Sequence, residues 1–327
     1  MTRRVAAVDC GTNSLRLLVA DIDHDRVELT DVTRRMEIVR LGQGVDQTGR
    51  LAPEALARTT AMLRDYADVI AGTAAGAVRM VATSATRDAS NAAEFTRQVK
   101  EILGVAPEVL TGSEEAALSF TGATAELAPA PDDGPFLVAD IGGGSTEFVL
   151  GQATAVGPGK AGEQAVQAIS VDIGCVRMTE RHLRSDPPSG AELVAATADI
   201  DAALDAVTGA VPVRQARTLI GLAGSVTTVA GVAMDLPAYD ASRIHHARVS
   251  AADVHEVTRS LLAQTRASRA AIGVMHPGRV DVIGAGALIL DRIMQRFGFG
   301  EVLVSEHDIL DGIAWSLAVG MSGDARH

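Results

Sequence analysis

Aromatic side chains are scarce in this chain of 327 residues: 3% in all, with one Trp, two Tyr and six Phe. Its cores must be built from Ala, Val, Leu and Ile, within a hydrophobic content of 47%. No apolar run approaches the roughly 18 residues of a membrane span. The opening MTRRVAAVDCGTNS meets Asp9 too early for the apolar region of a secretion signal. Two cysteines, Cys10 and Cys175, make neither a disulfide framework nor a metal-ligand cluster, which suits a reducing compartment. These absences lead to the expectation of a soluble cytoplasmic protein with no membrane partner. A net charge of −12 argues against a broad nucleic-acid surface, so no duplex partner is expected. Lysine is nearly missing, since only Lys100 and Lys160 stand among 29 basic residues, and an anion site must rely on arginine and backbone amides. There is no G-x-x-x-x-G-K-[ST], no G-x-G-x-x-G at a strand-to-helix junction and no H-E-x-x-H, which removes the common nucleotide loops and a dedicated zinc site.

What is present is a repeated device. VADIGGGSTEFVLG, residues 138–151, runs apolar into an aspartate, through three glycines and back out apolar; AVDCGTNSLRLLVA does the same near the N-terminus. Asp9 falls on Asp140, an offset of 131 residues (the difference between positions 140 and 9), and in that register Gly11 falls on Gly142 and Ser14 on Ser145. Turns without side chains let successive N–H groups close on an oxyanion. Alternatively each is a tight hairpin whose glycines serve a positive φ. Repetition of Asp, Gly and Ser in register favours phosphate binding, with Asp9 and Asp140 placed to hold a hard cation or to orient a water.

The intervening pattern also repeats. Residues 5–9 and 15–21 read as strands around CGTNS, RVELTDVTRRMEIVRL as a third, and LAPEALARTTAMLRDYADVIAG as a helix with Pro53 in its first turn and Leu56, Leu63 and Ile70 on one stripe. VRMVATSAT reads as strand and loop, residues 91–103 as helix, PEVL as a short strand and SEEAALSFTGATAEL as helix. LAPAPDDGP, residues 127–135, is the clearest linker. Beyond it strands flank IGGGS, AVQAISV is a third, TLIGLAG a strand running into the helix SVTTVAGVAM, and helices fill residues 251–293 before the strand EVLV and a final helix with Ile309, Ile313 and Leu317 on its buried side. The expected fold is therefore α/β, with two ribonuclease-H-like domains of the actin-like ATPase superfamily facing a central cleft. The first covers residues 1–126 and the second 127–305, with the helix near 306–320 packing back on the first.

Four further candidates carry two readings each. Glu114 and Glu115 compensate a helix dipole, with Thr111 and Glu114 at capping-box spacing, or supply an acid–base group. Arg87 clamps a phosphate or pairs with Asp88. GLAGSVTT is an anion-binding helix N-terminus or plain strand–helix packing. The histidines of RIHHARV are a chelating pair or, since on a strand they would point apart and chelate poorly, surface or partly packed residues.

The blocks DCGTNSLRLLVAD, ATSATRDA, TGSEEAALSF, VADIGGGSTEFVLG, GCVRMTE and RVDVIGAGALIL together resemble the exopolyphosphatase and guanosine pentaphosphate phosphohydrolase family, over residues 4 to about 318, in the length of its short, two-domain members. The resemblance implies a phosphoanhydride hydrolase that releases terminal orthophosphate with Mg²⁺ (or Mn²⁺). It matches Glu115 to the family's catalytic glutamate, here read as general base, and Asp140 to a residue that positions metal and water. It matches Gly11, Thr12, Asn13, Ser14 and Gly142, Gly143, Gly144, Ser145 to two phosphate loops, and Arg87 to a substrate-contacting arginine. Asp9 and Glu147 join Asp140 as expected metal-site acids. Thr12 replaces the usual serine, Leu310 stands where the family commonly has arginine, and His246 where many relatives have glycine. Inorganic polyphosphate is the expected substrate, with guanosine pentaphosphate the alternative through the same chemistry. A sugar or carboxylate kinase and a non-catalytic phosphate-polymer sensor are the rivals, and a homodimer is an open partner state.

Overall fold

The computed structural model describes residues 2–23, 26, 28–125, 127, 133–152 and 167–320. Most of the linker expected at 127–135 lies outside them. The chain divides into two compact units: the described parts of Met1–Ala128 and Asp308–His327 form unit 1, and those of Pro129–Gln152 and Val166–His307 form unit 2.

Unit 1 opens with β1 (Thr2–Cys10), β2 (Ser14–Asp23) and β3 (Glu28–Ile38), an antiparallel meander. There follow α1 (Val45–Thr48), α2 (Pro53–Thr73), β4 (Ala77–Ala82), α3 (Ser84–Arg87), α4 (Ala92–Leu103), β5 (Glu108–Val109) and α5 (Gly112–Thr124). The sheet order is β3-β2-β1-β4-β5, with β4 and β5 parallel to β1. Alternation along β1 explains how one strand serves two cores. Ala6, Val8 and Cys10 meet Leu63, Tyr66, Phe95 and Val99 from α2 and α4, whereas Val5 and Ala7 face Ile309, Ile313 and Trp315. The Leu56–Leu63–Ile70 stripe of α2 is buried, and Pro53 sits in its first turn, where its missing N–H has no partner to lose.

Unit 2 repeats the plan: β6 (Phe136–Ile141), β7 (Thr146–Gly151), β8 (Gln167–Val171), α6 (Cys175–His182), α7 (Gly190–Ala210), β9 (Thr218–Leu222), α8 (Ala223–Ala233), α9 (Ala241–Ile244), β10 (Arg248–Ser250), α10 (Ala251–Ala263), α11 (Arg266–Ala270), α12 (Ile283–Phe297) and β11 (Glu301–Val304). Its sheet order, β10-β11-β9-β6-β7-β8, contains the order of unit 1 with β10 added at one edge. The chain then returns to unit 1 as α13 (Ile309–Gly320), whose Ile309 and Ile313 are buried and whose Leu317 packs half-buried against the same cluster. Gly122 and Gly312 let α5 and α13 touch backbone to backbone: a Cβ on Gly122 would lie 1.7 Å from the Asp308 carbonyl oxygen, and one on Gly312 2.1 Å from that of Leu118. No helix among the described residues is long and apolar enough to cross a membrane.

Two local expectations need correction. The histidine pair is not on a strand: β10 begins at Arg248, and His246 takes φ 62. That left-handed residue turns the chain, so the rings of His245 and His246 stack with centroids 3.7 Å apart instead of pointing apart, and His307 lies 4.5 Å from His245. Burial, with the neighbouring His307, pushes His246 below the usual histidine range. The segment after β4 closes into the short helix α3 where a loop was expected. Leu310, at the position of a family arginine, is a core residue against β1 and β2.

Candidate active site

In each unit the leading strand of the first hairpin carries an aspartate one residue before its end, and the chain then turns over four residues. Gly11 N–H donates to Ser14 O at 3.0 Å, and Gly142 N–H donates to Ser145 O at 3.0 Å. Neither Gly11 nor Gly142 has a positive φ, so left-handed backbone is not the reason for glycine there. Their amides close the hairpin, and what these two positions offer a ligand is the absence of a side chain.

The carbonyl side of each turn is braced from behind. In unit 1, Thr12 O accepts from Gly42 N–H (2.8 Å), and Asn13 O accepts from Val39 and Arg40 N–H (3.1 and 2.8 Å). In unit 2, Gly142 O accepts from Cys175 N–H (2.9 Å), and Gly143 O accepts from Val176 and Arg177 N–H (2.9 and 3.1 Å), all at the start of α6. Gly144 O accepts from Arg177 Nε at 2.6 Å. With the carbonyls of Thr12, Gly142 and Gly143 drawn to one side, their peptide planes aim the N–H groups of the next residues, Asn13, Gly143 and Gly144, to the other. No backbone carbonyl among the described residues accepts from the N–H of Thr12, Asn13, Gly143 or Gly144. Successive, oriented amides of this kind can receive an anion. The bracing depends on two glycines that sequence inspection passed over. A Cβ on Gly42 would lie 2.3 Å from Thr12 Cγ2, and one on Gly174 would lie 2.4 Å from Gly143 O.

The strand-end aspartates differ in what faces them. Asp9 pairs across the hairpin with Arg16, and Asp140 with Glu147. In unit 1, Arg16 donates to Asp9 Oδ2 through Nε (2.9 Å) and Nη2 (2.7 Å), and also pairs with Asp308. Burial pushes the Asp9 carboxyl above the ordinary range, and the Arg16 guanidinium opposes that rise. Asp9 Oδ1 is buried without a hydrogen-bond partner, as are Asn13 Oδ1 and Thr86 Oγ1. Thr12 Oγ1 and Ser84 Oγ share a hydrogen bond of 2.8 Å, tying the turn to α3. In unit 2, Asp140 and Glu147 are 7% and 2% exposed and lie directly opposite each other, where like charges repel. Glu147 Oε1 accepts from Ser170 Oγ at 2.7 Å, and Ser145 is buried beside them in the turn.

The adjacent glutamates of α5 have different tasks. Glu114 completes a capping box: its carboxylate accepts from Thr111 N–H (2.8 Å) and Oγ1 (2.7 Å), and those bonds hold it below the usual glutamate range. Glu115, one residue on, is turned inward to 7% exposure. There Arg87 Nη1 reaches Glu115 Oε2 at 3.1 Å and the Leu110 carbonyl at 3.0 Å. Arg87 and Glu115, expected separately, are thus brought into one ion pair in unit 1.

A divalent cation was expected on Asp9, Asp140 and Glu147. Asp140 and Glu147 fit one: two buried carboxylates side by side carry a repulsion that a bound cation relieves. Asp9 already meets a guanidinium at Oδ2 and offers only its partnerless Oδ1. Among the described residues no three or more of His, Cys, Asp and Glu gather into a cage, a sparse donor set of the kind Mg²⁺ uses when substrate oxygens and water complete its shell.

Two α/β units with one strand order, each opening on an Asp–Gly hairpin, define an actin-like fold. The chain belongs to the Ppx/GppA phosphatase family, whose model matches residues 18–319. It is 50% identical over 326 residues to Exopolyphosphatase 2 of Mycobacterium tuberculosis, covering 96% of this chain and 98% of that one. The crystal structure of an exopolyphosphatase-like protein superposes with a TM-score of 0.90 at 42% identity, covering 97% of this chain and 98% of the other. An exopolyphosphatase from Cytophaga hutchinsonii superposes with a TM-score of 0.86 at 26% identity, covering 97% and 98%.

Proposed function

We propose that this protein is an exopolyphosphatase, releasing terminal orthophosphate from inorganic polyphosphate by attack of water. The observation that carries the chemistry is the pair of turns braced at their carbonyls, which leaves the amides of Thr12, Asn13, Gly143 and Gly144 uncommitted to the backbone. Phosphoryl transfer needs little covalent help from the protein; positioning and charge stabilisation do most of the work. The amides, the hydroxyls of Thr12, Ser14 and Ser145, and Arg87 receive phosphate oxygens. Glu115 takes the proton of the attacking water, and its ion pair with Arg87 fixes where that carboxylate points. Asp9, through Oδ1, orients a water or accepts from a ligand donor. Asp140 and Glu147 are the carboxylates that would hold Mg²⁺ or Mn²⁺, which when bound neutralises charge on the phosphate oxygens.

Polyphosphate is preferred over guanosine pentaphosphate because the relative at 50% identity is named an exopolyphosphatase. Orthophosphate release from tripolyphosphate, long polyphosphate and guanosine pentaphosphate, at matched concentration with and without Mg²⁺, tests the assignment. Mg²⁺-dependent release from polyphosphate, exceeding that from the nucleotide, is the expected result. Binding of polyphosphate with no release would mark a sensor and overturn it.

A further inference from the structure

Away from the residues above, unit 1 carries an open groove of about 760 Å³ between α2 and α4. Leu56 and Arg50 line it together with Arg64 of α2 and Arg97 of α4, and Glu94 and Glu101 are the acids along it. Three guanidiniums against two carboxylates make the groove locally positive in a chain of net charge −12. The acids do little to saturate them. Glu94 accepts from Gln98 on its own helix, and Glu101 stands 3.9 Å from Arg97 in an exposed pair. Among the described residues Arg64 reaches only the Thr60 carbonyl of its own helix, at 3.4 Å. Arginines elsewhere, such as Arg4 on Asp21 and Arg292 on Asp201, are held by carboxylates through two nitrogens.

The groove is tied to the segment that carries Arg87. Asn91 accepts from Leu51 N–H at 2.8 Å and donates to Leu51 O at 3.0 Å, clamping two lining residues of the groove together just after α3. Asn91 is four residues beyond Arg87, so the two lie within about 14 Å even for a fully extended chain.

We propose that this groove is a second binding track for polyphosphate, engaging phosphates remote from the one being released. The inference rests on the exopolyphosphatase assignment and concerns which substrates that activity favours. Arginine forks suit successive phosphate oxygens, and a track of this kind acts only on a polymer long enough to reach it. Long chains therefore bind more tightly than tripolyphosphate, at low salt above all.

The test is steady-state kinetics of the full chain carrying Arg64→Ala and Arg97→Ala together, on tripolyphosphate and on long-chain polyphosphate across a salt series. Both positions are exposed on helices, where alanine is well tolerated. KM for the long polymer should rise about 3- to 20-fold, as expected when two exposed ion contacts are lost. The slope of log KM against log salt should fall by about 0.7 per arginine removed, by analogy with single-stranded polyanions. Kinetics on tripolyphosphate should be unchanged, which also shows that the variant folds. Arg259→Ala, in unit 2, removes one exposed positive charge where the double variant removes two, and should move neither KM. The track is overturned by an unchanged long-chain KM, by an equal rise on both substrates, or by an Arg259→Ala effect of the same size. Failure of wild-type protein to release phosphate from either polymer would instead overturn the exopolyphosphatase assignment.

Discussion

Gly174→Ala adds one methyl group behind the turn of residues 142–145. Gly174 has φ −143 and ψ 161, extended backbone that alanine adopts freely, so any effect must come from contact. The new Cβ would lie 2.4 Å from Gly143 O, 2.5 Å from Gly143 C and 2.6 Å from Gly144 C, all of them backbone atoms. Ordinary contact starts near 3.4 Å, so the turn must retreat by about 1 Å. It cannot do so freely, because the carbonyls of residues 142 and 143 are bonded to the first amides of α6. A displacement of 1 Å in a positioning element costs on the order of 10² in rate, and overpacking of this kind costs about 1–3 kcal/mol of stability. Orthophosphate release from tripolyphosphate should fall by about 10², with a lower Tm and native secondary structure by circular dichroism. Gly190→Ala is the control, since no atom lies within 4 Å of its added Cβ; it should leave kcat/KM unchanged. Wild-type kcat/KM in Gly174→Ala would show that the turn does not grip the reacting phosphate.

Glu115→Gln should lower kcat by about 10²–10⁴, the scale of a general base, while Glu114→Gln, which removes only the cap carboxylate, should leave kcat unchanged and lower Tm; equal kinetics in both variants would remove Glu115 from its role. Arg16→Ala strands the buried carboxylates of Asp9 and Asp308 and should cost about 3 kcal/mol of stability by urea titration; a loss below 1 kcal/mol would mean that water replaces the guanidinium. Glu192 caps α7 by accepting from the N–H groups of Ser189, Arg184 and Ser185, and those bonds, led by that of Ser189, pull it down to about 2 from an ordinary 4.5. A depressed carboxyl contributes stability above its unfolded value, lost as pH falls toward the folded one. Tm should therefore drop between about pH 5 and pH 2 more steeply in wild type than in Glu192→Gln, and parallel curves would refute the assignment.

The hairpins could be read from the sequence because their signal is local and doubled: an apolar strand, Asp, Gly, Ser and an apolar strand, twice at one offset. The capping box of α5 is equally local, since Thr111 and Glu114 meet within one turn. Gly42 and Gly174 escaped because each matters only through a partner about 30 residues away, and spacing along the chain does not announce such approaches. The helix α6, whose amides brace the second turn, was not singled out as an element for a similar reason: an eight-residue helix has too few turns for a clear period. His246 misled because left-handed backbone at a residue other than glycine leaves no mark in composition. Arg16 could have been found. The offset of 131 that aligns Asp9 with Asp140 also places Arg16 on Glu147.

That last correspondence separates the two copies chemically. Each hairpin puts residue 9 or 140 directly opposite residue 16 or 147. The first copy thus holds an aspartate against a guanidinium, while the second faces an aspartate with another acid. Both pairs are largely buried, and the first is an ion pair closed across the hairpin. If a divalent cation relieves the second, then Glu147→Arg should convert it to the chemistry of the first, supplying the positive charge from within the hairpin. Arginine is larger than glutamate and must reach toward solvent as Arg16 does, so some loss of Tm is expected. The informative readout is the response to Mg²⁺ instead of Tm itself. Wild-type Tm should rise with added Mg²⁺, by about 2.7 kcal/mol of stabilisation at one hundred times Kd, and Glu147→Arg should show no such rise while also releasing no phosphate. Equal Mg²⁺ stabilisation in both proteins would place the cation elsewhere and leave Asp140 and Glu147 a strained pair with another purpose.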